Sequence, residues 1–272
     1  RYDLDNSDEA PLNLTPDAPK DFHPLGLSLF QDDAGRETLM VINRRSQTPS
    51  RQKPNQIILY DWINGQLIQK RVVEGKGLIA PNDLVAIGHN RFYVTNDHGY
   101  EEGLLAAIEE YLPMPVGMVS YFDGEAFRSV ADGFSFANGI NQSPDGSKIY
   151  VTATVGQSLS IFERDRINGS LTLIKDIDLE TGPDNITLDD QGNLWIAAHP
   201  QLLSFIGYVG DETKYTPSQI FKLLPGIGGQ LIPQNVMVDA GDLISGASVA
   251  AAIGNRFLVG GPYEEQFLDC SL

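Results

Sequence analysis

Asparagine and aspartate recur in this chain at places where their side-chain oxygens could meet: Asn82-Asp83, Asn96-Asp97, Asn138-Gly139 and Asp184-Asn185. Neutral amide oxygens mixed with a few carboxylates are hard ligands, and calcium takes about six to eight of them in irregular geometry. Magnesium wants a tighter octahedron, and zinc wants His and Cys. With 4 His and 1 Cys scattered along the chain, zinc has little to bind. A single Asn or Asp beside Gly is ordinarily a turn former. A site therefore requires several of them at equivalent places in a repeat. Among the histidines, His89 falls in a hairpin turn open to solvent, and His23, His98 and His199 flank strand ends. No GxSxG elbow, phosphate-cradling GxxxxGK[ST] loop or HExxH pair occurs.

The elements that would position these residues repeat. LGLSLFQDDAGRETLMVIN from Leu25, NDLVAIGHNRFYVTND from Asn82, NGINQSPDGSKIYVTAT from Asn138, DNITLDDQGNLWIAAHP from Asp184 and GASVAAAIGNRFLVGGP from Gly246 share one pattern. Each is a short apolar strand, a turn of Asp, Asn or Gly, and a second strand, which is hairpin chemistry. Further strand candidates, QIILYDWING from Gln56 and SLSIFERDRINGSLTLIKDI from Ser158, lie between the units. About four strands per repeat at a spacing of roughly 45–65 residues is the pattern of β-propeller blades. Blades start on their innermost strand, so the Asn and Asp at unit starts can converge on the central axis. GLLAAIEEYLPMP from Gly103 breaks the β pattern, with Leu104, Leu105, Ile108 and Leu112 on one helical face and Pro113 ending it. A short helix there would sit over the axial opening.

Composition bounds the function classes. At 42% hydrophobic, the 272 residues suit a single domain spanning 1–272. The formal charge of −17 argues against phosphate backbones and anionic lipid heads, which are bound through Lys and Arg. No apolar run approaches the roughly 20 residues of a membrane-spanning helix. The sequence opens at Arg1, which is read as the trace of a segment lying upstream. Cys270, without an internal partner, is either a spare thiol or the mate of a cysteine in such a segment.

The phrases PNDLVAIGHNRFYVTNDHGY, DGFSFANGINQSPDGSKIYV and GPDNITLDDQGNLWIAAHP, with the terminal Cys270-Ser271-Leu272, closely resemble the paraoxonase family of calcium-dependent lactonases and arylesterases. These are six-bladed propellers related to gluconolactonases. The resemblance implies an all-β, six-bladed fold whose N-terminal blade is largely absent from this sequence. It implies two calcium ions on the axis. The catalytic ion would be held by Asn96, Asn138, Asp184 and Asn185 with an upstream Glu, and the second by Asp97, the Leu27 carbonyl and an upstream Asp. It also implies that an upstream cysteine pairs with Cys270. His199 and Phe136 match residues that line the family's pocket, and the helix from Gly103 matches its roof. The family's His dyad falls on Leu25 and Arg44, so the usual water-activating pair is replaced, with His23 two residues before Leu25.

The function expected is a calcium-dependent hydrolase of lactones or aryl esters. The metal would polarise the carbonyl, Asn138 and Asn96 would help place its oxygen, and water would attack. His23, His199 and Asp184 are candidates for the base, and Leu25, Arg44 and Phe136 for the pocket wall. Arg44 cannot serve as a base, because its guanidinium stays protonated. The competing reading is a calcium-stabilised propeller that has lost hydrolysis and acts as a binding protein. The apparent processing at Arg1 and a calcium site that needs high free calcium point to a secreted or periplasmic protein.

Overall fold

The computed structural model describes residues 1–6, 9–45, 53–100, 114–211, 213–226 and 230–272. Its strands form five antiparallel sheets in sequence order. The first holds β1 (Pro24–Gln31), β2 (Glu37–Asn43), β3 (Gln56–Ile63) and β4 (Gln66–Val73), and the second β5 (Pro81–Gly88), β6 (Arg91–Asn96), β7 (Gly117–Phe122) and β8 (Phe127–Phe134). The third holds β9 (Ala137–Gln142), β10 (Lys148–Ala153), β11 (Ser158–Arg164) and β12 (Leu171–Asp178). The fourth holds β13 (Gly182–Leu188), β14 (Leu194–His199), β15 (Ser218–Pro225) and β16 (Leu231–Asp239). The fifth has three strands, β17 (Val249–Ile253), β18 (Arg256–Gly260) and β19 (Leu268–Ser271). The five repeat units are the opening hairpins of these sheets, so the fold is a five-bladed propeller arc.

Turn chemistry explains the hairpins. Gly35 has φ +76°, and Asp32 Oδ1 accepts the N–H groups of Ala34 and Arg36 at 3.0 and 2.9 Å. Asp189 Oδ1 likewise accepts from Gln191 and Asn193 at 3.0 and 2.8 Å. At these tips the carboxylates bind their own backbone, which is ordinary turn formation. His89 is not left to solvent in its turn. Its Nδ1 lies 2.7 Å from Thr38 Oγ1 and its Nε2 3.0 Å from Asp32 Oδ2, so it ties the second sheet to the first.

Apolar cores lie between successive sheets. Met40, Ile57 and Leu59 meet Leu84, Phe92 and Val94 between the first and second, and Tyr93 and Val119 meet Ile140 and Val151 between the second and third. Leu159 and Ile161 meet Ile196 and Phe221 between the third and fourth, and Trp195 and Ile220 meet Ala250 and Phe257 between the fourth and fifth. Each first strand packs on the next, β1 on β5, β5 on β9, β9 on β13 and β13 on β17. Among the described residues no comparable packing joins β17 back to β1. The outer face of the first sheet therefore has no opposing sheet, and Leu25, Leu27 and Leu29 stand 45, 61 and 55% exposed on it.

The segment before β1 runs between the fifth and first sheets. Tyr2 meets Phe267 edge-on at 4.9 Å, and Arg256 donates to the Leu4 carbonyl. At the other end Lys53 pairs with Asp21 at 2.8 Å, and the His23 N–H donates to Asn43 Oδ1 at 2.7 Å. The helix expected from Gly103 lies outside the described residues. A short helix, α1 (Leu202–Gly210), follows β14.

Candidate functional site

The first strands of neighbouring sheets approach through residues without bulk. A Cβ on Gly26 would stand 2.6 Å from the Asp83 Cα, and one on Gly139 would stand 2.5 Å from the Asp184 carbonyl oxygen. Polar bonds join the same strands. The Ile140 N–H donates to Asp83 Oδ2 at 3.0 Å, and Thr95 Oγ1 donates to the Asn138 carbonyl at 2.6 Å. Asn185 donates its backbone N–H and its Nδ2 to the Ser248 carbonyl, at 3.1 and 3.0 Å. The unit starts are thereby gathered at one level of the arc.

Three of the expected ligands keep an oxygen available. Asn138 is buried, and its Nδ2 donates to Thr154 Oγ1 at 2.8 Å, which donates in turn to the Pro183 carbonyl at 2.7 Å. That chain fixes the amide, yet Asn138 Oδ1 is buried with no hydrogen-bond partner. A buried, unsatisfied carbonyl oxygen is costly unless something positive meets it. Asp184 spends Oδ2 on His199 Nε2 at 2.9 Å, and Asn185 spends Nδ2 on Ser248. Oδ1 of each receives no hydrogen bond among the described residues. Asn96 is more committed: Oδ1 accepts from the Ala80 N–H at 3.0 Å, while Nδ2 donates to the Gly77 carbonyl at 3.0 Å. Among the described residues no three of His, Cys, Asp and Glu stand together as metal ligands. The available donors are amide-rich hard oxygens, which fit calcium and not a transition metal.

Asp97 is arranged differently. Arg44, 8% exposed, clasps both its oxygens, with Nη2 2.9 Å from Oδ1 and Nη1 on Oδ2. Asn82 Nδ2 adds a bond to Oδ2 at 3.0 Å, and His98 Nδ1 lies 2.6 Å from Oδ1. Burial pushes the Asp97 carboxyl up, but the Arg44 charge and the bonds from His98 and Arg44 outweigh it and hold it below the usual range. Asp83 has no cation. Burial, opposed by the N–H groups of Ile140 and Leu84 and reinforced by the Asp184 charge, raises its carboxyl to about 7.

His199 is fully buried beneath Phe205 of α1, the two rings parallel within 11° with centroids 3.4 Å apart. Its Nδ1 has no partner. His23 is exposed at the entry to β1, and its ring makes no hydrogen bond among the described residues. Leu25 and Leu27 lie on the open face of β1. Phe136, at the left-handed φ of +66°, presents its ring edge-on to His98 at 5.6 Å. The structure thus gathers Asn138, Asp184, Asn185 and His199 in one group and Arg44, Asp97 and His98 in another. Phe205 and the partners of Asp97 escaped sequence reasoning. His98 was legible as the residue after Asp97, but nothing in the string showed which way its ring turns.

Comparison with known proteins follows the same lines. A family model described as arylesterase matches residues 5–272. Serum paraoxonase/arylesterase 1 of Homo sapiens is 30% identical over 263 residues, 95% of this chain and 72% of that protein. Serum paraoxonase/arylesterase 2 of Rattus norvegicus is 30% identical over 252 residues, 92% of this chain and 69% of that protein. Among solved structures, the periplasmic gluconolactonase of Pseudomonas aeruginosa superposes with a TM-score of 0.54 at 14% identity, covering 92% of this chain and 66% of that one. That likeness concerns the fold alone.

Proposed function

The chain belongs to the arylesterase family, and on that footing we propose that it hydrolyses lactones or aryl esters with calcium held at the level of Asn138. It is an ester-bond hydrolase of the lactonase and arylesterase type. The observation that carries the finer reading is the buried, unpartnered Oδ1 of Asn138 in the group that contains the Asp184–His199 pair.

Asn138, Asp184 and Asn185 would hold the ion, with Asn96 contributing the remaining lone pair of its Oδ1. A calcium ion held there would supply a Lewis acid for the ester carbonyl. The chain's own residues set the rest. Thr154 fixes the Asn138 amide, and Ser248 fixes that of Asn185. An ionised Asp184 accepts the Nε2 proton of His199, which leaves Nδ1 as the bare nitrogen and makes it the atom we assign as base. Phe205 covers the ring against bulk water. His23, exposed and apart from this pair, is the weaker candidate.

Turnover of phenyl acetate and of an aliphatic lactone tests the reading. Activity should vanish in EGTA and return when calcium is restored, and activity that survives EGTA overturns it. One observation favours the second reading, a binding protein: Leu25 and Arg44 stand where the family's dyad resides. That reading expects calcium binding with no turnover of either substrate.

A sixth sheet seated between β17 and β1 would close the ring and cover Leu25, Leu27 and Leu29. The open arc supports it. A segment supplying that sheet could also bring a cysteine to Cys270, which is unpaired and half-buried at β19. Disulfide mapping of the secreted protein by mass spectrometry checks this pairing. A secreted or periplasmic setting suits such a bond, and the human relative is named as a serum protein. No described helix is long and apolar enough to cross a membrane.

A further inference from the structure

We propose that α1 is a lid that must open to admit an ester to His199, so that the contact of Phe205 with His199 is a resting, self-inhibited state of the site. The inference rests on the function proposed above and concerns its regulation. His199 is fully buried, and its Nδ1 has no partner. A base acts only on a proton within its reach, so water and ester need a way in. The strands cannot supply one. His199 is itself paired with Gly182, and β14 is paired on both sides, with β13 and with β15. Among the described residues no backbone hydrogen bond joins α1 to a strand. It lies on the site through side chains. Leu202 sits against Gly182, where an added Cβ would stand 2.4 Å from Leu202 Cδ2, Phe205 stacks on His199, and Tyr208 meets Tyr263 edge-on at 5.4 Å.

The helix is also weak in itself. Gln201 makes no side-chain cap, the first turn has no acidic residue and the last turn no basic one. Nine residues are too few to hold a helix without packing. Gly207 and Gly210 stand in open space and favour the unwound chain. Leu203, Ile206 and Val209 face outward and hold nothing down. Such a segment opens locally while the sheets stay intact. Open, it uncovers His199. Closed again over a bound ester, it shuts out bulk water.

Two substitutions on the outer face move the lid in opposite directions. Gly207→Ala meets nothing and firms the helix, so α1 should open about two- to fivefold less often. Ile206→Gly loosens it, so α1 should open more often. Opening is read in the full-length protein by amide hydrogen exchange of residues 205–209. It is read again by the rate at which diethyl pyrocarbonate acylates His199, followed by mass spectrometry with the exposed His23 as internal reference. Both rates should fall by one factor in Gly207→Ala and rise together in Ile206→Gly, and kcat/KM for phenyl acetate should follow them. His199 acylation that keeps its wild-type rate in both variants overturns the proposal. Exchange that is unchanged in both also overturns it, because α1 is then not the element that opens. Acylation needs no turnover, so a protein that hydrolyses neither ester nor lactone sinks the proposed function and leaves the lid to be judged by these rates.

Discussion

His199 Nε2 lies 2.9 Å from Asp184 Oδ2 in a pair shut from solvent by Phe205, with the other ring nitrogen unpartnered. One contact serves two purposes. On the function proposed above, it commits one oxygen of Asp184 and would leave the other for a cation, and a carboxylate there, able only to accept, would take the proton of Nε2 and leave Nδ1 with a free lone pair.

His199→Gln separates these purposes. Its amide nitrogen can still donate to Asp184, so calcium affinity should stay near wild type. The base is gone, so kcat should fall by about 10²–10⁴. Calorimetric titration with calcium, run beside phenyl acetate kinetics, reads both. A loss of calcium binding in step with activity would assign His199 to holding Asp184 alone.

Asn138→Ala removes the unsatisfied oxygen together with the bond to Thr154. In EGTA the loss of that bond should cost about 0.5–1.5 kcal/mol. Calcium should raise the Tm of wild type and leave that of the variant unmoved, because ligand binding stabilises only a fold that binds it. Thermal unfolding with calcium and with EGTA decides it. Equal calcium shifts in both proteins would place the ion elsewhere.

The five opening hairpins were legible because their signals are local: alternating strands and Asp, Asn or Gly at each turn. The grouping of Asn138, Asp184 and Asn185 followed from repeat position. Whether each oxygen is available did not, because that depends on bonds between sheets. Asn96 and Asn138 look alike in the sequence, yet the Ala80 N–H occupies one amide oxygen and nothing occupies the other. Arg44 was visible as a departure, but its partner 53 residues on was not. Helix α1 carries no side-chain cap, and its Leu203, Ile206 and Val209 face outward, so neither capping nor periodicity announced it.

Gly139→Ala tests the close approach of β9 to β13. The added methyl would meet the Asp184 carbonyl oxygen at 2.5 Å. Forcing the strands apart should cost about 1–3 kcal/mol and shift Asp184 with its neighbours, so calcium affinity should fall as well. Gly35→Ala is the control. It has φ +76° and open space around it, so only the left-handed strain of about 1–2 kcal/mol applies. Urea unfolding and calcium titration of both variants check the contrast. Unchanged calcium affinity in Gly139→Ala would detach the ion from this contact.

Asp83 gives the metal-free protein a pH dependence opposite to that of the carboxylates held below their usual range, such as Asp97. Burial raises its carboxyl from 3.8 to about 7, with the Asp184 charge adding to the effect. Between those values the folded chain holds a proton that the unfolded chain releases. The contribution to stability is therefore fully present below pH 3.8 and is lost as pH rises to about 7. Each unit of difference is worth about 1.4 kcal/mol. In Asp83→Asn the amide cannot titrate, although its Nδ2 in the place of Oδ2 would face the Ile140 N–H and cost a fixed amount at every pH. Urea unfolding in EGTA from pH 5 to pH 8 should show wild type losing stability relative to the variant as pH rises. Parallel curves would mean that Asp83 stays ionised throughout.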